Sequence, residues 1–291
     1  MSGITPSRFL KPPWSKPAVS NVKNLSVLVT GAGRGVGKRL AIGFAAGGAR
    51  VGLLARSKAE LDLASLEIEH GGGSALRIRA DVTDIEQMGA ALDRMRVHYG
   101  GVQVVVCAAA VQGPIGPLLD NSPKAWAETI QTNLFGVMHT CRVCLPQMIA
   151  RRSGKIIILI GGGALTARPN FSAYAASKAA AVRFAETLAE EIREHNIQVN
   201  CMSPGGTYTK MTDEILRAGE RAGWKEEEDA LQVRQTGGVA PEKQIQLALF
   251  LASEESNHIS GKVIQVNDDW RKLRNGSIPE ELYTLRRVQK I

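Results

Sequence analysis

Acidic residues are missing from the start of this chain: no Asp or Glu precedes Glu60, while ten Lys and Arg do. The formal net charge is +8, and its concentration near one end marks a surface for something anionic. No nucleic-acid-binding motif accompanies these basic residues, so an anionic small molecule is expected and nucleic acid is not. Long hydrophobic runs are also lacking. The longest run of branched aliphatic residues, Ile156 to Ile160, is far short of the ~20 residues that cross a bilayer, and no membrane association is expected. Residues 1–23 hold prolines and polar residues without the apolar stretch of a secretory signal. They read as an extended basic arm on a cytoplasmic protein. Cysteine is sparse: Cys107, Cys141, Cys144 and Cys201, each in an apolar segment. Cys141 and Cys144 form a CxxC, but inside a helical pattern with no pairing to histidines. Core packing in a reduced compartment is expected, and no metal site.

What the chain has in quantity is aliphatic sequence in short blocks. From residue 25, "LSVLVT", "RVGLLA", "ALRIRADV", "VQVVVCAA", "GKIIILIG", "IQVNCMSP" and "GKVIQVN" alternate with helical patterns. The two longest helical patterns cover 123–151 and 172–195, and His195 closes the second as a helix-end charge. Short apolar strands between helices predict a parallel sheet covered on both faces. Right-handed crossovers make it an α/β, doubly wound, Rossmann-like sheet in one domain, residues 24–270. Residues 205–238 break the rhythm after a strand end, between glycines. Two short helices forming a lid are expected there, because ligands of open α/β sheets sit at the carboxyl ends of strands. A tail, 271–291, follows, with Leu282, Leu285 and Val288 at helical spacing.

"VLVTGAGRGVGKRL" sets Gly31, Gly33, Gly35 and Gly37 between the first strand and first helix, with Arg34 and Val36 among them. Glycines there let the backbone turn tightly and approach a pyrophosphate, which the helix N-terminus attracts. The loop therefore predicts dinucleotide binding. The second strand ends in Ala55 and Arg56, where a carboxylate would hold the 2′-hydroxyl of NAD. Two guanidiniums, Arg34 and Arg56, suit a 2′-phosphate instead, so NADP(H) is the expected cofactor.

Tyr174 and Lys178 are four residues apart at the start of a helix, hence on one face. A nearby cation stabilises a phenolate and brings tyrosine toward the range of a general acid or base.

Thr30-Gly31 through Gly37 (TGxxxGxG), together with Tyr174 and Lys178 (YxxxK), resemble the short-chain dehydrogenase/reductase family in its single-domain branch, across residues 25–270. The resemblance implies that Tyr174 protonates a carbonyl oxygen or deprotonates an alcohol, while Lys178 supports it and holds the nicotinamide ribose. It implies that Asp81 and Val82 contact adenine, that Asn133 holds a water of the proton relay, and that Pro204, Gly205, Thr207 and Thr209 border the nicotinamide. Ala108 belongs to Cys107-Ala108-Ala109-Ala110, which replaces the family's Asn-Asn-Ala-Gly. Homo-dimers or homo-tetramers through the two long helices are implied as well.

The chain departs from the family thirteen residues before Tyr174. A serine is usual there; Gly161 stands there, followed by Gly162 and Gly163. A backbone N–H of this loop, Thr166 or Ser172 is expected to stand in, and the loop with Tyr208 is expected to meet the substrate. Arg168 and the basic residues of the lid suit an anionic substrate. Three readings stay open: carbonyl reduction or alcohol oxidation, epimerisation or C=C reduction at the same site, and a non-catalytic NADP-binding scaffold. Asp268 and Asp269 replace two family glycines before Trp270.

Overall fold

The computed structural model describes residues 20–274, 276, 278–279 and 281–285. Seven strands form one parallel sheet: β1 (Ser26–Thr30), β2 (Arg50–Ala55), β3 (Ser74–Arg79), β4 (Val104–Cys107), β5 (Gly154–Leu159), β6 (Ile197–Ser203) and β7 (Val263–Gln265). Their order is β3-β2-β1-β4-β5-β6-β7. β1, β4 and β5 are buried at every position, which is why they read as continuous aliphatic runs rather than alternating ones.

The first helices are α1 (Gly35–Ala46), α2 (Lys58–His70), α3 (Ile85–Tyr99) and α4 (Pro123–Ile130). There follow α5 (Gly136–Arg151), α6 (Ser172–Glu191), α7 (Lys210–Ala218), α8 (Trp224–Thr236) and α9 (Pro241–Ala252). Leu40, Phe44, Leu61 and Phe250 put α1, α2 and α9 on one face of the sheet. Met88, Met95, Cys141, Met148 and Val182 put α3, α5 and α6 on the other. All four cysteines are free and buried.

Because the chain runs from β1 outward to β3 and then returns to β4, the sheet reverses direction between β1 and β4. Val27 pairs with Val104 and Thr30 with Cys107 across that line. Loops leaving two neighbouring strands in opposite directions open a crevice at their carboxyl ends. Thr30 staples it: its hydroxyl oxygen accepts from the N–H of Ala108 at 3.1 Å and of Ala109 at 3.2 Å.

Several expectations need correction. The pattern over 123–151 is not one α-helix, because a π-turn at Gln131–Phe135 separates α4 from α5. α6 stops at Glu191, and His195 sits in a following 3-10 turn. Val22, assigned to the arm, is buried in the core; residues 1–19 lie outside the described residues. In the tail, residues 281–285 form a turn rather than a helix. The N–H of Val263 donates to the Tyr283 carbonyl at 2.7 Å, and Leu285 packs on the core. Val288 lies outside the described residues.

Candidate active site

A cleft of about 1060 Å³ runs along the carboxyl edge of the sheet, from the glycine loop to the α7–α8 insertion. Gly31, Gly33, Arg34, Gly35, Val36 and Gly37 line one end of it. The loop is glycine-built for steric reasons. A Cβ on Gly31 would lie 2.7 Å from the Ala109 backbone, and one on Gly37 would lie 2.4 Å from the Gly31 carbonyl oxygen. Gly35 has φ +58°, a left-handed conformation that glycine adopts without strain. No side chain caps the N-terminus of α1, so its first N–H groups are left for a ligand. These features fit a dinucleotide pyrophosphate.

Farther along, Arg56, Asp81, Val82 and Ser57 line the cleft. Arg34 pairs with Glu60 at 3.1 Å and Arg56 with Asp81 at 3.6 Å. The sequence expectation of guanidiniums without an acid is therefore corrected: the first turn of α2 returns Glu60 to the loop. Its capping serine, Ser57, accepts from the Glu60 N–H.

Tyr174, Lys178 and Gly161 meet in the middle of the cleft. A Cβ on Gly161 would lie 2.6 Å from the Tyr174 hydroxyl, so that hydroxyl occupies the room a side chain at 161 would take. Lys178 is buried and donates from Nζ to the Leu159 carbonyl at 2.8 Å. Burial lowers its pKa to about 8, against the thiols of Cys201 and Cys107. Burial raises the pKa of Tyr174, and the charge opposing it is that of Arg168. Lys178 Nζ lies 5.8 Å from the centroid of the Tyr174 ring, so Arg168, at 5.4 Å, is a second cation beside the phenol.

Asn133 does not line the cleft. It is fully buried in the π-turn, where its carboxamide accepts from the Val111 N–H at 2.8 Å and donates to the Val111 carbonyl at 3.0 Å. It also donates to the Ser177 hydroxyl, which donates to the Tyr174 carbonyl. The π-turn thus ties the loop after β4 to the helix that carries Tyr174.

Ala108, Gly162, Pro204, Gly205, Thr207 and Thr209 line the cleft; Gly163 and Tyr208 do not. Gly163 has φ +89°, with Ala175 against the place of its Cβ, so it shapes the turn. Tyr208 is 44% exposed and donates to Asp213. The expected stand-ins Thr166 and Ser172 are also outside the lining, and Ser172 Oγ accepts from the Trp126 indole.

Arg168, expected to suit an anionic substrate, instead meets an acid of the insertion. Arg168 pairs with Glu226 of α8 through two hydrogen bonds, 2.9 and 2.7 Å. The two are 58 positions apart, and no local pattern links them. Among the described residues no cluster could hold a metal ion, and no helix is long and apolar enough to cross a membrane.

A family model described as short chain dehydrogenase matches residues 25–219. A 3-oxoacyl-(acyl-carrier-protein) reductase from Thermotoga maritima is 32% identical over 241 residues, spanning 82% of this chain and 95% of the relative. Gluconate 5-dehydrogenase from Gluconobacter oxydans is 30% identical over 255 residues, spanning 87% and 97%. Among solved structures, a gluconate 5-dehydrogenase from Burkholderia cenocepacia in complex with NADP and tartrate superimposes with a TM-score of 0.74 at 26% identity, over 84% of this chain and 95% of that one. An NAD+-bound xylitol dehydrogenase shares the fold with a TM-score of 0.77 at 23% identity, over 84% and 98%. The chain belongs to the short-chain dehydrogenase family. Within it, the chain is an oxidoreductase whose relatives include both reductases and dehydrogenases.

Proposed function

We propose that this chain is an NADP(H)-dependent oxidoreductase that reduces a carbonyl, or oxidises the matching secondary alcohol. One juxtaposition carries the reading: the Tyr174 hydroxyl lies against the bare face of Gly161, with Lys178 beside it, in the cleft that the glycine loop lines. The bound nicotinamide supplies or accepts the hydride. Tyr174 gives a proton to the substrate oxygen in reduction and takes it back in oxidation. Lys178 holds the ribose and, when charged, favours the phenolate. Asn133 fixes the tyrosine's helix through Ser177.

Asp81 and Val82 border the adenine in this reading, and Ala108, Pro204, Gly205, Thr207 and Thr209 border the inner ribose and nicotinamide. Arg34 and Arg56 release Glu60 and Asp81 to grip the 2′-phosphate; the absence of an acid at Ala55 supports NADP over NAD. Residues 205–238 close over a small-molecule substrate. An apolar groove of Met138, Leu145, Ile149, Phe184 and Leu188 between α5 and α6 supports assembly as a homo-dimer or homo-tetramer.

The test is Tyr174→Phe, with 9,10-phenanthrenequinone as carbonyl probe and NADPH as reductant. Turnover should fall by about 10²–10⁴-fold, while NADPH binding, read by its fluorescence, is retained. Unchanged turnover removes Tyr174 from the chemistry. NADP should raise the melting temperature more than NAD does, and equal shifts would rule out the cofactor assignment.

A further inference from the structure

Arg168 has no part in the reading above, yet it borders the open face of Gly162, beside the position where the side chain is missing. It lies on the loop between β5 and α6, with its side chain only 12% exposed. Its guanidinium stacks on the buried ring of Phe171 at 3.9 Å and lies 5.4 Å from the centroid of Tyr174. A Cβ on Gly162 would meet its Nε, Cδ and Cζ at 3.7, 3.8 and 3.9 Å. The void left by Gly161 and Gly162 is thus bordered by the tyrosine hydroxyl over one residue and by the guanidinium over the next.

The guanidinium is also oriented. Its Nε and one Nη donate to the two carboxylate oxygens of Glu226, a fork that sets the plane of the group. Two of its five N–H groups are used, and three remain. The alternative side-chain donors fail: Ser172 is engaged with Trp126, and neither it nor Thr166 reaches the cleft.

We propose that Arg168 is the electrophilic group of this active site: its free N–H groups hydrogen-bond the substrate oxygen over Gly162, in place of a hydroxyl at residue 161, and Glu226 holds it there, so that seating of α8 completes the site. The proposal rests on the oxidoreductase reading above. Arg168 keeps all its protons. In reduction, the hydride added to the carbonyl carbon would come from bound NADPH; Tyr174 Oη gives the proton, and Arg168 contributes charge and a hydrogen bond as the oxygen becomes negative. The charged groups lining the cleft with Tyr174 are Lys178 on its own helix, 5.8 Å from its ring centroid, Arg168 on the preceding loop, Glu226 and Asp229 from α8, Lys210 and Glu214 from α7, and, toward the glycine loop, Arg34, Arg56, Glu60 and Asp81. Cys107 and Cys201, from β4 and β6, bear on Lys178. Burial drives the phenol toward its neutral form, and the Arg168 charge opposes this.

The experiment titrates Tyr174 directly, by the ultraviolet absorbance of tyrosinate in the full chain, with Tyr174→Phe subtracted. Arg168→Met should raise the Tyr174 titration by about one pH unit, the expected effect of removing an adjacent cation. Arg168→Lys and Glu226→Gln, which keep that cation, should leave it near the parent value. Phenanthrenequinone turnover in Arg168→Met should fall by about 10²-fold or more, with the KM for NADPH within about twofold, and Arg168→Lys should recover part of the loss. A merely structural latch predicts that Glu226→Gln, which breaks the same pair, shifts the titration as far as Arg168→Met; that result overturns the proposal. So does an unshifted titration in Arg168→Met. If Arg168→Met does not fold, Arg168→Gln removes the charge while keeping N–H donors and takes its place. If Tyr174→Phe leaves turnover intact, the general acid assignment fails; the titration result stands apart from that outcome, because it needs no turnover.

Discussion

The two ends of the cleft both use glycine, for opposite reasons. At the cofactor end, Gly31 and Gly37 are pressed against main chain: a Cβ would meet the Ala109 backbone or the Gly31 carbonyl at under 3 Å. Backbone there has nowhere to go, so the residue type is dictated by the fold. At the substrate end, Gly161 is close only to the tip of the Tyr174 side chain, and Gly162 makes ordinary contacts with Arg168. These glycines leave space that side chains from elsewhere fill. The first set belongs to the architecture of the sheet's reversal point; the second belongs to the chemistry particular to this chain.

The largest effect that would test this contrast is at the cofactor end. Gly37→Ala should destabilise the protein by about 3 kcal/mol, the upper range of overpacking penalties, and abolish NADP binding, both readable in denaturant titrations with and without cofactor. Retained stability would mean that the loop yields as readily as the substrate end.

Next comes Lys178, whose burial is a cost carried at the substrate end. Burial takes its pKa in the folded protein to about 8, below the ordinary lysine value of 10.5. A lysine depressed on folding destabilises the native state while charged. The penalty is therefore full below about pH 8 and is lifted as pH rises from there toward 10.5. That gap is worth roughly 3 kcal/mol, offset by about 1 kcal/mol for the lost bond to the Leu159 carbonyl. Lys178→Met should accordingly gain about 2 kcal/mol at pH 7 while losing activity, with the gain fading by about pH 10. Urea midpoints at the two pH values check this; a loss of stability at pH 7 would show that the hydrogen bond outweighs desolvation.

Smaller still is Gly161→Ser. The Tyr174 hydroxyl must shift to admit a side chain, at about 1 kcal/mol, with NADP affinity kept because the contact is far from the glycine loop. Loss of NADP binding would join the two ends that this comparison separates. Gly162→Ala should change stability by under about 0.5 kcal/mol, since its contacts stay at 3.7 Å or more. A large loss would mean the space over Gly162 is already closed by Arg168.

Strand identity was legible in the chain because a buried parallel strand must be apolar throughout, as in Ile156–Leu159. The glycine loop was legible because its sterics are local: strand, turn and helix are contiguous. Tyr174 and Lys178 were legible through helical spacing. The π-turn at Gln131–Phe135 was not, since its extra residue serves a bond from Asn133 to the distant loop of Val111. Nor was the burial of Val22, which fills a place beside Gly47. The pairing of Arg34 with Glu60 was hidden for a similar reason: the acid lies on the next helix, and only the right-handed crossover returns it to the loop.

By itself, then, the sequence determined the doubly wound sheet, the dinucleotide loop and the Tyr–Lys pair, because each depends on contacts between residues near in the chain. Only the tertiary structure decided what stands over Gly161 and Gly162. Arg168 and Glu226 belong to a loop and a helix far apart in sequence, and the insertion after β6 alone folds one onto the other. The Arg168 charge that bears on Tyr174 is therefore set by packing, and no spacing along the chain encodes it.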